Sequence, residues 1–208
     1  MGSDEIIKQV DEYYSNKLKT FGATPQGVDW NGEASQQLRF EQLLKIIDQP
    51  SASFSLLDYG CGFGSMFEFM KSNYHDFKFT GYDIAETMIE EAERKFGNEA
   101  AWLTSLKPGS KFDYITASGI FNVRLENSED KWLSYILDTL NDFNKYAVKG
   151  FSFNVLTKYS DAPFMKDYLY YADPLFLFDY CKKNFSKHVA LLHDYPLYEF
   201  TLLIRKTV

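Results

Sequence analysis

Cysteine is nearly missing: only Cys61 and Cys181 occur among 208 residues. Their separation gives neither the paired spacing of a zinc site nor a disulfide framework. The three histidines, His75, His188 and His193, are scattered as well, so no metal site is expected. Long apolar runs are absent too, and nothing approaches the roughly 20 residues of a membrane span. The chain begins Met1-Gly2-Ser3-Asp4-Glu5, with charge where a signal peptide would run from basic to apolar. Ile6 stands where N-myristoylation requires Ser or Thr. A soluble, cytoplasmic protein with no membrane partner is the expectation.

Positive charge is also short. There are 22 Lys and Arg against 29 Asp and Glu, a net charge of −7, and no basic cluster. Binding DNA or RNA rests on basic groups that displace counterions from phosphates, so no nucleic-acid partner is expected. Internal repeats, low-complexity segments and interdomain linkers are not seen. A chain of 208 residues suits one domain with a full core. Residues 1–50 read as an N-terminal helical cap and 51–208 as an α/β core. Aromatics are plentiful, with 19 Phe and 15 Tyr. Such rings fill a core and also line pockets for flat or apolar molecules.

The most informative stretch is Leu56-Leu57-Asp58-Tyr59-Gly60-Cys61-Gly62-Phe63-Gly64. An apolar run with Phe54, Leu56 and Leu57 reads as a buried strand, and Met66, Phe67, Met70 and Tyr74 follow at helical spacing. Strand, glycine turn and helix together form a nucleotide cradle: glycine permits tight turns and close ligand approach, and the helix start offers unpaired N–H groups. Phe77, Phe79 and Tyr82 alternate along a second strand that ends at Asp83, 23 residues after Gly60. That offset places an acid to grip a ribose diol; the alternative role for Asp83 is to cap the next helix.

The remaining elements follow in order. Helices are expected over residues 4–20 and 35–47, with a breaker-rich loop between them containing Pro25, Gly27 and Trp30. A third helix carries Ile84, Met88, Ile89, Ala92 and Phe96 and stops at Gly97. Strands follow over 101–106 and 112–118, then a helix over 128–148 and a strand over 151–156. Asp173-Pro174 starts a helix that reaches about Asn184. Strands over 189–192 and 198–205 are joined by His193-Asp194-Tyr195-Pro196. So short a turn forces them antiparallel.

A nicotinamide site would read G-x-G-x-x-G. Here the glycines at 60, 62 and 64 read G-x-G-x-G, with Asp58 two residues ahead. This pattern resembles the first motif of class I S-adenosylmethionine-dependent methyltransferases. Gly81-Tyr82-Asp83-Ile84 is similar to their second motif, and Phe112-Asp113-Tyr114-Ile115 to the start of their fourth strand. The resemblance covers about residues 50–205. It implies a Rossmann-like, mostly parallel seven-stranded sheet with an antiparallel C-terminal hairpin and helices on both faces.

It also implies S-adenosyl-L-methionine as cofactor and S-adenosyl-L-homocysteine as product. Asp58, Gly60, Cys61, Gly62 and Asp83 match the cofactor motifs. Ile84 and Met88 fall where the family touches adenine, although both are equally needed as core. Leu103 and Thr104 stand in for the acid that often binds the adenine amine. Trp30 and Arg39 would reach the cofactor, Arg39 through its methionine carboxylate; the alternatives are a packing Trp and a helix-surface Arg. Ligands sit at the carboxyl ends of strands in open α/β sheets, which brings Ser118 and Gly119 to the methionine end. Phe121, Asn122 and Tyr171 would face a methyl acceptor, expected to be a small molecule methylated at oxygen or nitrogen. His193 is the candidate base, with a plain turn residue as the alternative. A non-catalytic S-adenosylmethionine-binding regulator or scaffold is the competing function, and a nicotinamide oxidoreductase a more distant one.

Overall fold

The computed structural model describes residues 2–22, 24 and 32–206. Trp30, with most of its loop, lies outside the described residues. The chain runs α1 (Gly2–Phe21), α2 (Glu33–Leu44), β1 (Phe54–Tyr59), α3 (Ser65–Asn73), β2 (Phe77–Tyr82), α4 (Glu86–Phe96) and β3 (Ala101–Leu103). It continues through β4 (Phe112–Ala117), α5 (Glu129–Tyr146), β5 (Ala147–Leu156), α6 (Pro174–Asn184), β6 (His188–Leu192) and β7 (Glu199–Arg205).

The seven strands form one sheet in the order β3-β2-β1-β4-β5-β7-β6. The first five pair in parallel, as their helical crossovers require, while β7 runs antiparallel to both β5 and β6. Strand order reverses between β1 and β4. Their C-terminal ends diverge into loops there, which opens a crevice in a doubly wound sheet.

Each sheet face buries its own apolar cluster. On one, Trp132, Ile136, Leu140 and Phe143 of α5 and Leu177 and Cys181 of α6 cover Leu57, Ile115, Phe151, Phe153 and Leu202, joined by Ile6 and Val10 from α1. On the other, Phe40 and Leu43 of α2, Met66, Phe67 and Met70 of α3 and Ile89 and Phe96 of α4 pack on Leu56, Phe79, Trp102 and Tyr114. The helix before β1 is therefore a layer of the core: α2 lies against the sheet, and its Gln36 and Phe40 also border the crevice. Its start is marked by Gly32, and α6 is capped by Asp173, whose carboxylate accepts from Leu175 N at 2.9 Å. No helix of the described residues is long and apolar enough to cross a membrane.

Candidate active site

The turn after β1 folds over the end of β2. Gly60 N and Cys61 N both donate to Tyr82 O, at 2.7 and 3.0 Å, and Gly62 N donates to Asp83 Oδ2 at 2.8 Å. Gly60 has φ +80°, and a Cβ there would stand 2.3 Å from Cγ2 of Ile120. Ile120 belongs to the loop after β4, so the missing side chain lets the two crevice loops approach. Gly64, at φ +86°, starts α3; a Cβ on it would meet Phe96 and Trp102, each at 2.8 Å. Both positions combine a left-handed backbone with close packing, which only glycine accommodates.

Three aspartates line the resulting cleft: Asp11 from α1, Asp58 from β1 and Asp83 after β2. Asp58 is buried and accepts from Thr116 Oγ1 at 3.2 Å. Burial pushes its carboxyl up to about 7, opposed by that hydrogen bond and assisted by the charge of Asp83. Asp83 accepts from Ala85 N at 3.0 Å as well as from Gly62 N. It lines the cleft, and its bond to Ala85 N lies just ahead of α4, whose N-cap, Ala85, has no side-chain cap. Burial raises its carboxyl to about 6 against the lowering effect of those backbone donors, and Asp11 adds a like charge. No Lys, Arg or His lines this cleft among the described residues.

Other expected residues gather here. Cys61, Ile84 and Met88 line the cleft, and Met88 is also part of a small buried cluster with Phe63 and Ala85. Burial holds the Cys61 thiol well above its ordinary range. Ser118 and Gly119 form another wall; Ser118 Oγ is buried and has no hydrogen-bond partner among the described residues. Tyr14 and Leu18 of α1 pack on the Phe63–Met88 cluster, which brings α1 over the cleft. Tyr14 and Asp11 were not singled out from the sequence, because α1 carries no motif and its stripe fits ordinary packing. The cleft takes in about 880 Å³ of space, open solvent included.

Several residues fall elsewhere. Leu103 ends the edge strand β3 and Thr104 follows it, both with exposed side chains outside the cleft, although Leu103 O accepts from Asp83 N at 3.1 Å. Arg39 does not line it either. Its Nε lies 2.9 Å from the Glu199 carboxylate and its Nη1 donates to Ser35 O at 2.9 Å. Glu199 also accepts from Asn154 Nδ2 at 3.0 Å, and Asn154 Oδ1 accepts from Gly119 N at 2.7 Å. A buried polar chain thus links α2, β7 and β5 to the loop at the cleft wall. Phe121 is fully buried because a turn closed by Asn122 N on Gly119 O folds it inward against Phe153 and Tyr135. His193 is exposed beside Tyr159 and Phe200, outside the cleft.

Asn122 and Tyr171 line a second, wider chamber of about 1,740 Å³, open solvent included. Tyr14 and Gly119 border both spaces, so the chamber adjoins the cleft across them. The segment between β5 and α6 supplies Phe164, Lys166, Tyr168 and Tyr171, and the loop before β7 supplies Tyr198. Asn122 Oδ1 accepts from Leu156 N at 3.1 Å, and Tyr171 Oη accepts from Lys166 N at 2.9 Å. Among the described residues no three His, Cys, Asp or Glu side chains gather as a metal site.

Comparison with known proteins agrees with this geometry. Residues 56–142 match the model of a family described as "Methyltransferase domain". The Mycobacterium tuberculosis (strain ATCC 25618 / H37Rv) protein named "Putative methyltransferase Rv1506c" is 46% identical over 155 residues, 74% of this chain and 93% of that protein. Among solved structures, the N-methyltransferase NodS from Bradyrhizobium japonicum WM9 in complex with S-adenosyl-L-homocysteine superposes with a TM-score of 0.63 at 13% identity, covering 94% of this chain and 97% of that one. The 1,6-didemethyltoxoflavin-N1-methyltransferase of Burkholderia thailandensis gives a TM-score of 0.60 at 17% identity, over 95% and 90% of the two chains. The chain belongs to the class I S-adenosylmethionine-dependent methyltransferases.

Proposed function

We propose that the protein transfers a methyl group from S-adenosyl-L-methionine to an oxygen or nitrogen of a small molecule, with the cofactor in the glycine-turn cleft and the acceptor in the adjoining chamber. The observation that carries this is the pair of spaces meeting at Tyr14 and Gly119.

The cleft fits the cofactor on its own chemistry. Three aspartates and, among the described residues, no cation suit a positively charged ligand. The Ser118 hydroxyl has no partner among the described residues and can bond to a ligand. Each Asp83 oxygen already accepts one backbone N–H and keeps capacity for a ribose hydroxyl. Asp58, Gly60, Cys61, Gly62, Asp83, Ile84, Met88, Ser118 and Gly119 would hold the molecule. When bound, it supplies a methyl group already activated by its sulfonium.

The protein then needs chiefly to bring a nucleophile into line, and orientation carries much of the acceleration. The Asn154 amide fixes Gly119 at the boundary, and Tyr14 closes the cleft from α1. An acceptor that must lose a proton requires a base. His193, which lines neither space, stays a candidate from its place in the β6–β7 loop, and Tyr171 in the chamber wall is the alternative.

The test is to incubate the protein with S-adenosyl-L-methionine and a panel of small hydroxy and amino compounds, and to measure S-adenosyl-L-homocysteine. Acceptor-dependent product that disappears in Asp83→Ala is the expected result. Cofactor binding without turnover of any acceptor, and with a protein partner copurifying, would instead favour a regulatory role.

A further inference from the structure

S-adenosyl-L-methionine ends in an α-amino acid, and its carboxylate needs hydrogen-bond donors. The cleft offers it no cation among the described residues. Arg39, expected at that carboxylate from the sequence, stands outside the cleft and is paired with buried Glu199. Main-chain donors of the two crevice loops are largely committed as well. Gly60 N and Cys61 N donate to Tyr82 O, Gly62 N to Asp83 and Gly119 N to Asn154.

Two polar side chains in the cleft wall have no such commitment. Gln36, near the start of α2, is only 8% exposed, lines the cleft, and its amide bonds to no described residue. A buried amide without a partner is uncommon, and its desolvation is recovered when a ligand brings the missing acceptor. Ser118 Oγ is the other group, buried and equally without a partner among the described residues. The two come to the cleft from one side of the sheet. Phe40, one turn after Gln36, packs with Leu56, Met66 and Tyr114 and also lines the cleft. Thr116, two residues before Ser118, meets Asp58 Oδ1 and Met66 Sδ, each at 3.2 Å, on that same face. Alternation along β4 carries Ser118 onto it as well. Asp83 stands across β1 at the end of β2, so a cofactor with its ribose there extends its amino acid toward α2 and β4.

We propose that Gln36 and Ser118 hold the cofactor's carboxylate as a neutral donor pair, while Asp58 faces the ammonium on the same carbon. The proposal rests on the placement of the cofactor in this cleft. Gln36 Nε2 offers two N–H donors and Ser118 one O–H, enough for both carboxylate oxygens. A cation in place of Gln36 would compete for Asp58, whereas an amide serves the carboxylate and leaves Asp58 to the ammonium. The competing place for the carboxylate is the start of α3, where Ser65 lines the cleft.

Two ligands isolate the carboxylate: S-adenosyl-L-homocysteine and 5′-S-(3-aminopropyl)-5′-thioadenosine, which is the same molecule without it. Each is titrated by calorimetry into wild type, Gln36→Leu, Gln36→Glu, Ser118→Ala and Ser65→Ala, with melting temperatures as the folding control. Wild type should bind S-adenosyl-L-homocysteine about tenfold tighter than the aminopropyl compound. Gln36→Leu and Ser118→Ala should each weaken S-adenosyl-L-homocysteine about five- to tenfold and leave the aminopropyl compound within about twofold. Gln36→Glu keeps the shape but sets one carboxylate against another, so the preference should reverse. Ser65→Ala should alter neither ligand. Equal losses for both ligands in Gln36→Leu and Ser118→Ala, or a preference that survives Gln36→Glu, would overturn the proposal. So would a loss confined to Ser65→Ala, which would assign the carboxylate to the start of α3. Failure of both ligands to bind wild type would instead remove the cofactor assignment beneath it.

Discussion

Asp58 and Asp83 stand in one cleft with carboxyls raised to about 7 and about 6 by burial. In both, the folded protein holds its proton to higher pH than the unfolded chain does. Stability from these groups is therefore present at low pH and is lost as pH rises from about 4 to about 7. Ligand binding takes the opposite sign, since the ionised forms attract a cation. Affinity for S-adenosyl-L-methionine should rise between pH 5 and pH 8, more steeply than for S-adenosyl-L-homocysteine, which lacks the sulfonium charge. Asp58→Asn should flatten the upper part of that rise. Calorimetric titrations at pH 5, 6, 7 and 8 give the profile, and parallel curves for the two ligands would count against the carboxylates as charge partners. Asp83 was legible in the sequence because its distance from Gly60 is set by one strand–turn–helix–strand unit. The rise in its pKa was not, because it comes chiefly from burial that only the fold creates, and the like charge of Asp11 that adds to it sits on a helix 72 positions earlier in the chain.

Among elements, α2 and β7 are joined by the buried Arg39–Glu199 pair, which extends through Asn154 to Gly119. Removing one member of a buried ion pair leaves an uncompensated charge, at a cost of about 3–5 kcal/mol. Glu199→Gln should therefore lower the melting temperature clearly. Asn154→Ala keeps the ion pair but frees the Gly119 amide, so it should weaken catalysis more than it lowers the melting temperature. Thermal melts beside initial rates decide this; equal melting temperatures for wild type and Glu199→Gln would contradict the role given to the pair. The helical stripe of α2 could be read from Phe40, Leu43 and Leu44. The burial of Arg39 could not, since Glu199 lies 160 residues away. The antiparallel end of the sheet was legible from the short turn after β6, whereas the placing of β7 against β5 depends on long-range pairing that no local pattern specifies. Phe121 was expected at the acceptor because it follows β4, but a single turn reverses its direction and buries it.

At the scale of the whole molecule, one crevice is assembled at the point where the parallel sheet changes direction. The glycine turn and the β2 end build the side proposed for the cofactor, and both carry motifs that can be read along the chain. Its other side draws on α1, the segment between β5 and α6 and the loop before β7, which meet only in the folded protein. That is why the cofactor could be read early and the chamber proposed for the acceptor could not. The most direct measurement is calorimetric titration of S-adenosyl-L-homocysteine into wild type, Asp83→Ala and Gly60→Ala, with NADH in parallel and melting temperatures as the folding control. Micromolar binding by wild type, a loss of at least about tenfold in both variants, and no response to NADH are expected. Unchanged affinity in folded Asp83→Ala and Gly60→Ala would contradict the placement of the cofactor in this cleft.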